Sequence, residues 1–299
     1  MKAVVTESFA RISRMLTQRA FASLGMGRLA ARLPRPPTHF RPIATQLGNF
    51  SSLCTDRADI ISQCLFWFGR FDPWVAQVAS IAATSGSAVI DVGANLGAVT
   101  IPLARAVGPT GVVLSFEPDQ INFGRLTENI AANQLSNVQS HRCAVSTAAR
   151  VQIVRPQSGE PGHLRTAPAD GDLANSVKGV SLDSICEQLV AARQQPVTLC
   201  KIDVEGAEAD VLASGRASLA TKLIEAVLFE SHDPVVAGQP LADLFLAYGY
   251  KMYRIHKSRH GAFLVGMGSN LGRGVTTCDY LAVLPETSVA CRVSRMIVT

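Results

Sequence analysis

Two carboxylates close apolar runs in this 299-residue chain. Asp91 ends Val89-Ile90 just before the small-residue turn Val92-Gly93-Ala94-Asn95-Leu96-Gly97, and Glu117 ends Val112–Phe116, 26 positions after Asp91. A strand that ends in an acid and turns into a helix sets backbone N–H groups and a close-approach surface at the carboxyl edge of a sheet, where ligands bind. Glu117 can accept both hydroxyls of a ribose. Asp91 suits a ligand with a cationic amino group better than one whose pyrophosphate must sit there, because like charges repel. A dinucleotide fingerprint would want glycines at 93, 95 and 98, but Asn95 and Ala98 occupy two of those positions, which disfavours a nicotinamide-dependent dehydrogenase.

A third signature is Leu199-Cys200-Lys201-Ile202-Asp203-Val204-Glu205-Gly206-Ala207-Glu208. Asp203 closes another apolar run, and Gly206 allows a tight turn into a helix. In a doubly wound sheet that reverses direction after three strands, Asp203 and Asp91 flank the switch-point crevice, which makes Asp203 the centre of the candidate reaction site. Glu205 lies beside it. His232, after Leu228-Phe229-Glu230-Ser231, offers an imidazole that titrates near neutral pH as a base; its competing reading is a turn histidine before Asp233-Pro234. Lys201 reads as an ion-pair partner of one of the acids. Asp203, Glu205, Glu208, Glu230 and His232 include donors for a divalent ion, but capping and salt bridging explain Glu205 and Glu208 more economically, so no metal is expected.

The elements that must position these residues alternate. Asp72 caps a helix that starts at Pro73 and buries Trp74, Val75, Val78 and Ile81. Strands are expected over 88–92, 111–116, 138–145, 151–154, 197–202 and 223–229, and helices over 96–107 and 119–133 and from Ser181-Leu182-Asp183 onward. A Pro-, Gly-, Asp- and Ser-rich stretch to about Lys178 reads as loop. Strands separated by helix-length segments predict right-handed crossovers and a mainly parallel, doubly wound α/β sheet.

Asp91–Gly97, Phe116-Glu117-Pro118, Ser181-Leu182-Asp183 and Lys201–Glu208 together closely resemble the FkbM-type S-adenosylmethionine-dependent methyltransferases, over roughly Cys64 to Tyr253. The segment Phe68-Gly69-Arg70-Phe71-Asp72-Pro73 resembles the family's lead-in to its first helix, although the family often has Glu where Asp72 stands. The resemblance implies a seven-stranded class I methyltransferase sheet with S-adenosylmethionine as cofactor. It places Asp91, Gly93, Asn95 and Gly97 around the methionine part, Glu117 on the ribose, Ala144 of Cys143-Ala144-Val145 near the adenine, and Asp203 at the crevice. Its members typically methylate hydroxyls of sugars or secondary metabolites, so a small-molecule or glycan hydroxyl acceptor is implied. Two rival readings are methylation of nitrogen on protein or nucleic acid, and a module that binds the cofactor without turnover. The first lacks support because Val204-Glu205-Gly206 follows Asp203 without the proline-proline-aromatic turn that grips a planar amino group in many such enzymes. The second runs against the intact Asp91, Glu117 and Asp203.

Composition bounds the rest. Hydrophobic residues make up 47% and charged ones 17%, which excludes bulk disorder. The seven cysteines are scattered, the nearest two ten positions apart, which excludes paired-cysteine zinc and redox motifs and reads as reduced thiols of a cytoplasmic protein. Residues 1–35 hold seven basic residues against Glu7 alone, a local balance of +6 within a net charge of +5, so the rest of the chain is nearly neutral at −1. This arm reads as a solvated helix, a peripheral contact with an anionic membrane surface, or a transit peptide. Nucleic acid is not an expected partner, because no aromatic interleaving accompanies the charge. The chain divides into a basic arm (1–38), a lid-like segment (39–71) and a methyltransferase domain (72–299).

Overall fold

A computed structural model describes residues 60–154, 165–168, 176–231, 238–258, 261–267 and 278–298, and short stretches between 9 and 50. Its helices are α1 (Ile60–Phe68), α2 (Pro73–Ala82), α3 (Thr100–Val107), α4 (Gln120–Ala132), α5 (Leu182–Arg193), α6 (Glu208–Ala213), α7 (Arg216–Ala220), α8 (Gly238–Ala247) and α9 (Ser288–Val293). Strands β1 (Ile43–Ala44) and β2 (Asn49–Phe50) form a short antiparallel pair. The central sheet is built from β3 (Ala88–Val92), β4 (Val112–Phe116), β5 (Val138–His141), β10 (Leu199–Ile202), β11 (Ala226–Glu230), β12 (Lys251–Ser258), β13 (Gly261–Gly266), β14 (Asp279–Val283) and β15 (Ile297–Val298). A smaller sheet contains β6 (Ala144–Val145), β7 (Arg150–Val154), β8 (Arg165–Pro168) and β9 (Ser176–Val180).

The central order is β15-β13-β12-β14-β11-β10-β3-β4-β5, with β5-β4-β3-β10-β11 parallel and β14 antiparallel between β11 and β12. The sheet therefore has nine strands rather than seven. The seven run from β5 to β12; β13 joins them by a hairpin with β12, and the C-terminal β15 adds in parallel to β13. Strand β3 pairs with β4 on one side and β10 on the other, which is the expected reversal of direction.

Alternation in the strands sends two sets of apolar side chains to opposite faces. Ile90, Val92, Ile202, Val227 and Phe229 pack with Leu182, Ile185, Val211, Leu219 and Phe245, the inward faces of α5 to α8. Val89, Val113, Leu199, Leu228 and Leu281 pack with Trp74, Val78, Leu103 and Val289 of α2, α3 and α9. In β3, β4, β10, β11 and β14 burial is nearly complete on both faces, and the charged residues of these five strands stand in the half nearest the carboxyl edge.

Helix α2 starts where the sequence places it: Asp72 accepts the Val75 N–H and Pro73 takes the first turn. Helix α5 starts likewise, with the Ser181 hydroxyl accepting from Ser184 N. The expected strand over 138–145 is broken, because after His141 the chain leaves the central sheet and Ala144-Val145 pairs with Gly179-Val180. The expected loop before Lys178 contributes β9, whose Gly179 lies so close to the Ala148 carbonyl that a Cβ there would stand 1.8 Å from it. Most of the basic arm and parts of the 157–178 segment lie outside the described residues.

Candidate active site

The sheet register gathers the three sequence signatures. Asp91 of β3 stands opposite Lys201 of β10, and Asp203 N donates to Val92 O at 3.1 Å just beyond the strand end. One row farther along the same face, Asp203 neighbours Glu230 of β11, which stands opposite Asp279 of β14. Asp91, Lys201, Asp203, Glu230 and Asp279 thus come together although they are spread over nearly 190 residues of sequence.

Lys201 organises the inner half of this row. Its ammonium is 3.2 Å from Asp91 Oδ1 and 3.5 Å from Asp203 Oδ2, and it donates to the Gly93 carbonyl at 2.8 Å. Burial opposes charge on this amine, but the two carboxylates outweigh burial and raise its pKa. Asp91 is fully buried, with Oδ2 accepting the Thr100 hydroxyl at 2.6 Å. The cation that sequence reasoning assigned to a ligand amino group is supplied from within, by Lys201, so Asp91 supports the turn rather than facing the crevice.

The turn after β3 is closed by backbone geometry. Gly93 has φ 77°, and a Cβ there would stand 1.8 Å from the Asp203 carbonyl oxygen. Asn95 also takes a left-handed conformation, φ 49°, and its N–H donates to Glu117 Oε2 at 2.8 Å. Gly97 packs beneath, facing Leu126 of α4. The other Glu117 oxygen accepts from Asp119 N at 2.9 Å. Glu117 is 5% exposed, and burial raises its pKa to about 7 despite these two N–H donors.

Beside Glu117 opens a cleft lined by Val92, Gly93, Phe116, Pro118, Cys143, Ala144, Val145, Val204 and Ala207. Its walls are almost wholly apolar, and a carboxylate with spare lone pairs stands at its side. A largely apolar cleft beside a carboxylate acceptor is the kind of lining a nucleoside uses, with the acceptor available to ribose hydroxyls.

The outer half of the row holds protons. Glu230 accepts from Cys278 Sγ at 3.0 Å, and burial together with the adjacent Asp203 charge raises its pKa to about 9. That shift favours the protonated carboxyl, which is hydrogen-bonded to Asp203, whose own side chain is 36% exposed. Burial and the Asp72 charge bring Asp279 to about 6, and Lys257 bridges Asp279 at 2.6 Å and Asp72 at 2.5 Å. Glu208 is buried, and its Oε1 accepts from Val204 N and Gly206 N, both at 3.1 Å, so it fixes the turn after Asp203. Glu205 sits in that turn with φ 54°. His232 lies outside the described residues. Sequence reasoning left Glu230 only as a metal donor; its place beside Asp203 follows from strand pairing, which no local pattern encodes. Asn129 of α4, fully buried and donating to Leu96 O at 2.9 Å, had no sequence signal.

The methyltransferase FkbM domain matches residues 91–252, more than half of the chain. The chain belongs to that family. It is 29% identical over 147 residues to Methyltransferase 1 of Beauveria bassiana, covering 42% of this chain and 57% of the relative. It is 26% identical over 174 residues to Methyltransferase sdnD of Sordaria araneosa, covering 49% and 66%. The matched stretches span less than two thirds of these relatives' lengths. Among solved structures, cofactor-bound Rv0187 from MTB gives a TM-score of 0.44 at 12% identity, over 92% of this chain and 97% of that one. A SAM-dependent O-methyltransferase from Thermotoga maritima gives 0.41 at 13%, over 72% and 65%.

Proposed function

We propose that this protein is an S-adenosylmethionine-dependent methyltransferase that methylates a hydroxyl of a small molecule or glycan: a sugar, a glycolipid or a secondary metabolite. The observation that carries the reading is the partly exposed Asp203 carboxylate just beyond the end of β10, beside Lys201 and a Glu230 whose pKa is raised by burial and by the Asp203 charge. In this reading Glu117 receives the ribose hydroxyls, the wall at Cys143, Ala144 and Val145 faces the adenine, and the Gly93–Gly97 turn adjoins the methionine part.

Bound there, S-adenosylmethionine supplies a methyl group on a sulfonium whose departure as a neutral thioether needs no acid. What remains for the chain is to orient a hydroxyl and take its proton. Lys201 and Glu230 hold Asp203, whose side chain stays partly exposed. A carboxylate fixed in this way can accept a hydroxyl proton as the oxygen–carbon bond forms. The absence of a proline-proline-aromatic turn after Asp203 favours oxygen over planar nitrogen as acceptor.

Transfer of labelled methyl from S-adenosylmethionine to a panel of hydroxylated acceptors tests the proposal. Asp203→Asn should lower turnover by about 10²–10⁴-fold while calorimetric binding of S-adenosylmethionine stays close to wild type. Unchanged turnover in that variant would overturn the role given to Asp203.

A further inference from the structure

Arg70 lies in the short link between α1 and α2 and is only 7% exposed. Its Nε and Nη2 are shut off from solvent and meet no hydrogen-bond acceptor. Burial pulls its pKa below the ordinary arginine value, with no counter-charge among the described residues to offset it. The nearest acids in sequence and in the adjoining row are already committed. Asp72 gives one oxygen to Val75 N at 3.2 Å and the other to Lys257 at 2.5 Å, and Asp279 is held by Lys257 at 2.6 Å.

The two orphaned donors belong to one edge of the guanidinium. Nε–H and one Nη2–H point the same way in its plane, spaced to meet the two oxygens of a carboxylate side by side. The missing partner therefore has the shape of a bidentate oxyanion.

Its place in the fold is set by packing. Gly69, with φ 69°, ends α1, and Asp72 caps α2. Phe66, Trp67 and Phe68 of α1 share a core cluster with Leu96, Ala98 and Ile101, in and after the turn that follows β3. Lys257 ties Asp72 to Asp279, which stands in the row with Glu230 and Asp203. The link is thereby held at the carboxyl edge, between the glycine turn and the acid row.

We propose that Arg70 anchors a ligand carboxylate at this edge, that of the methionine part of S-adenosylmethionine. The inference rests on the reading of the edge as the cofactor site, and it names the group that binds the end of the cofactor opposite the ribose and adenine. A carboxylate carried by the acceptor is the other source of the same chemistry.

Calorimetric titration of the full chain with S-adenosylmethionine and with its decarboxylated analogue, in wild type, Arg70→Met and Arg70→Lys, separates these cases. Wild type should prefer S-adenosylmethionine by about tenfold or more, and Arg70→Met should bind both ligands alike, at the wild-type affinity for the analogue. Ligand-free Arg70→Met should melt no lower than wild type, because it removes a buried charge whose Nε and Nη2 have no acceptor among the described residues. If that variant fails to fold, Arg70→Lys, which keeps the charge without the fork, should still lose most of the preference. A preference for S-adenosylmethionine undiminished in a folded variant would overturn the proposal. The same result with a raised KM for a carboxylated acceptor would also overturn it and move the anion to the acceptor. Wild type that binds neither ligand would instead sink the reading of the edge as a cofactor site.

Discussion

Glu117 is where pH should reach cofactor binding. Its carboxyl is buried at the side of the cleft, and burial raises its pKa from 4.5 to about 7 against the pull of the Asp119 and Asn95 N–H groups. Ribose hydroxyls donate, so they bind best to the ionised form. For a pKa near 7 the ionised fraction is about 0.9 at pH 8 and about 0.09 at pH 6, so apparent affinity for S-adenosylmethionine should fall about tenfold across that range. Glu117→Gln keeps the shape and removes the titration. Calorimetry of both proteins across the range is the assay. The cofactor's amino group and His141, stacked on Phe116 at 5.1 Å, are present in both proteins, so the readout is the difference between the two profiles. Parallel profiles would refute the assignment of Glu117 to the ribose.

The same group makes stability depend on pH without ligand. Because its folded pKa lies above the unfolded one, its contribution is full below about pH 4.5 and is lost as pH rises to about 7, roughly 3 kcal/mol in all, measurable by urea unfolding. Lys201→Met leaves Asp91 buried without its cation and should cost about 3–5 kcal/mol; adding Asp91→Asn should recover much of this, and a merely additive double variant would argue against the pairing. Gly93→Ala combines left-handed strain of about 1–2 kcal/mol with a Cβ placed on the Asp203 carbonyl, and should abolish cofactor binding. Gly206→Ala has comparable strain at φ 103° but open space, so it should fold and bind, with a lowered melting temperature.

The parts of the fold legible in the sequence are those encoded locally. Asp72-Pro73 and Ser181-Leu182-Asp183 carry their caps in their own residue types, and β3, β4, β10 and β11 announce themselves as short apolar runs that end in acids or turns. What stayed hidden depends on pairing at a distance. Ser176–Val180 looks like loop by composition and becomes a strand because β6 and β7 meet it. Two strands beyond seven exist because a hairpin and the C-terminal Ile297-Val298 extend an edge. Within the site, Asp203 and Glu117 were legible as strand-end acids, whereas Glu230 gains its proton only from the neighbours that register gives it. Lys201 was legible as an ion-pair partner; that it joins two acids and a carbonyl was not, since the three lie on different segments.

Lys201 also explains why a charge row is tolerated in an otherwise apolar sheet. One buried ammonium fixes the Gly93 turn through its carbonyl, holds Asp91 and pairs with Asp203, which ties the turn to the carboxylate proposed as base. Glu208 locks the backbone after Asp203 in the same sense. Such groups have their partners before any ligand arrives, which is the preorganisation a transfer reaction requires. Glu117 and Arg70 are of the opposite kind: one has spare lone pairs beside an apolar slot, the other an orphaned pair of donors. Burying either without a ligand costs stability, and that cost is recovered only by a molecule with hydroxyls at one end and a carboxylate at the other. Selectivity for the whole cofactor over its fragments should therefore reside in these two residues, with the Lys201 network setting the rate of methyl transfer.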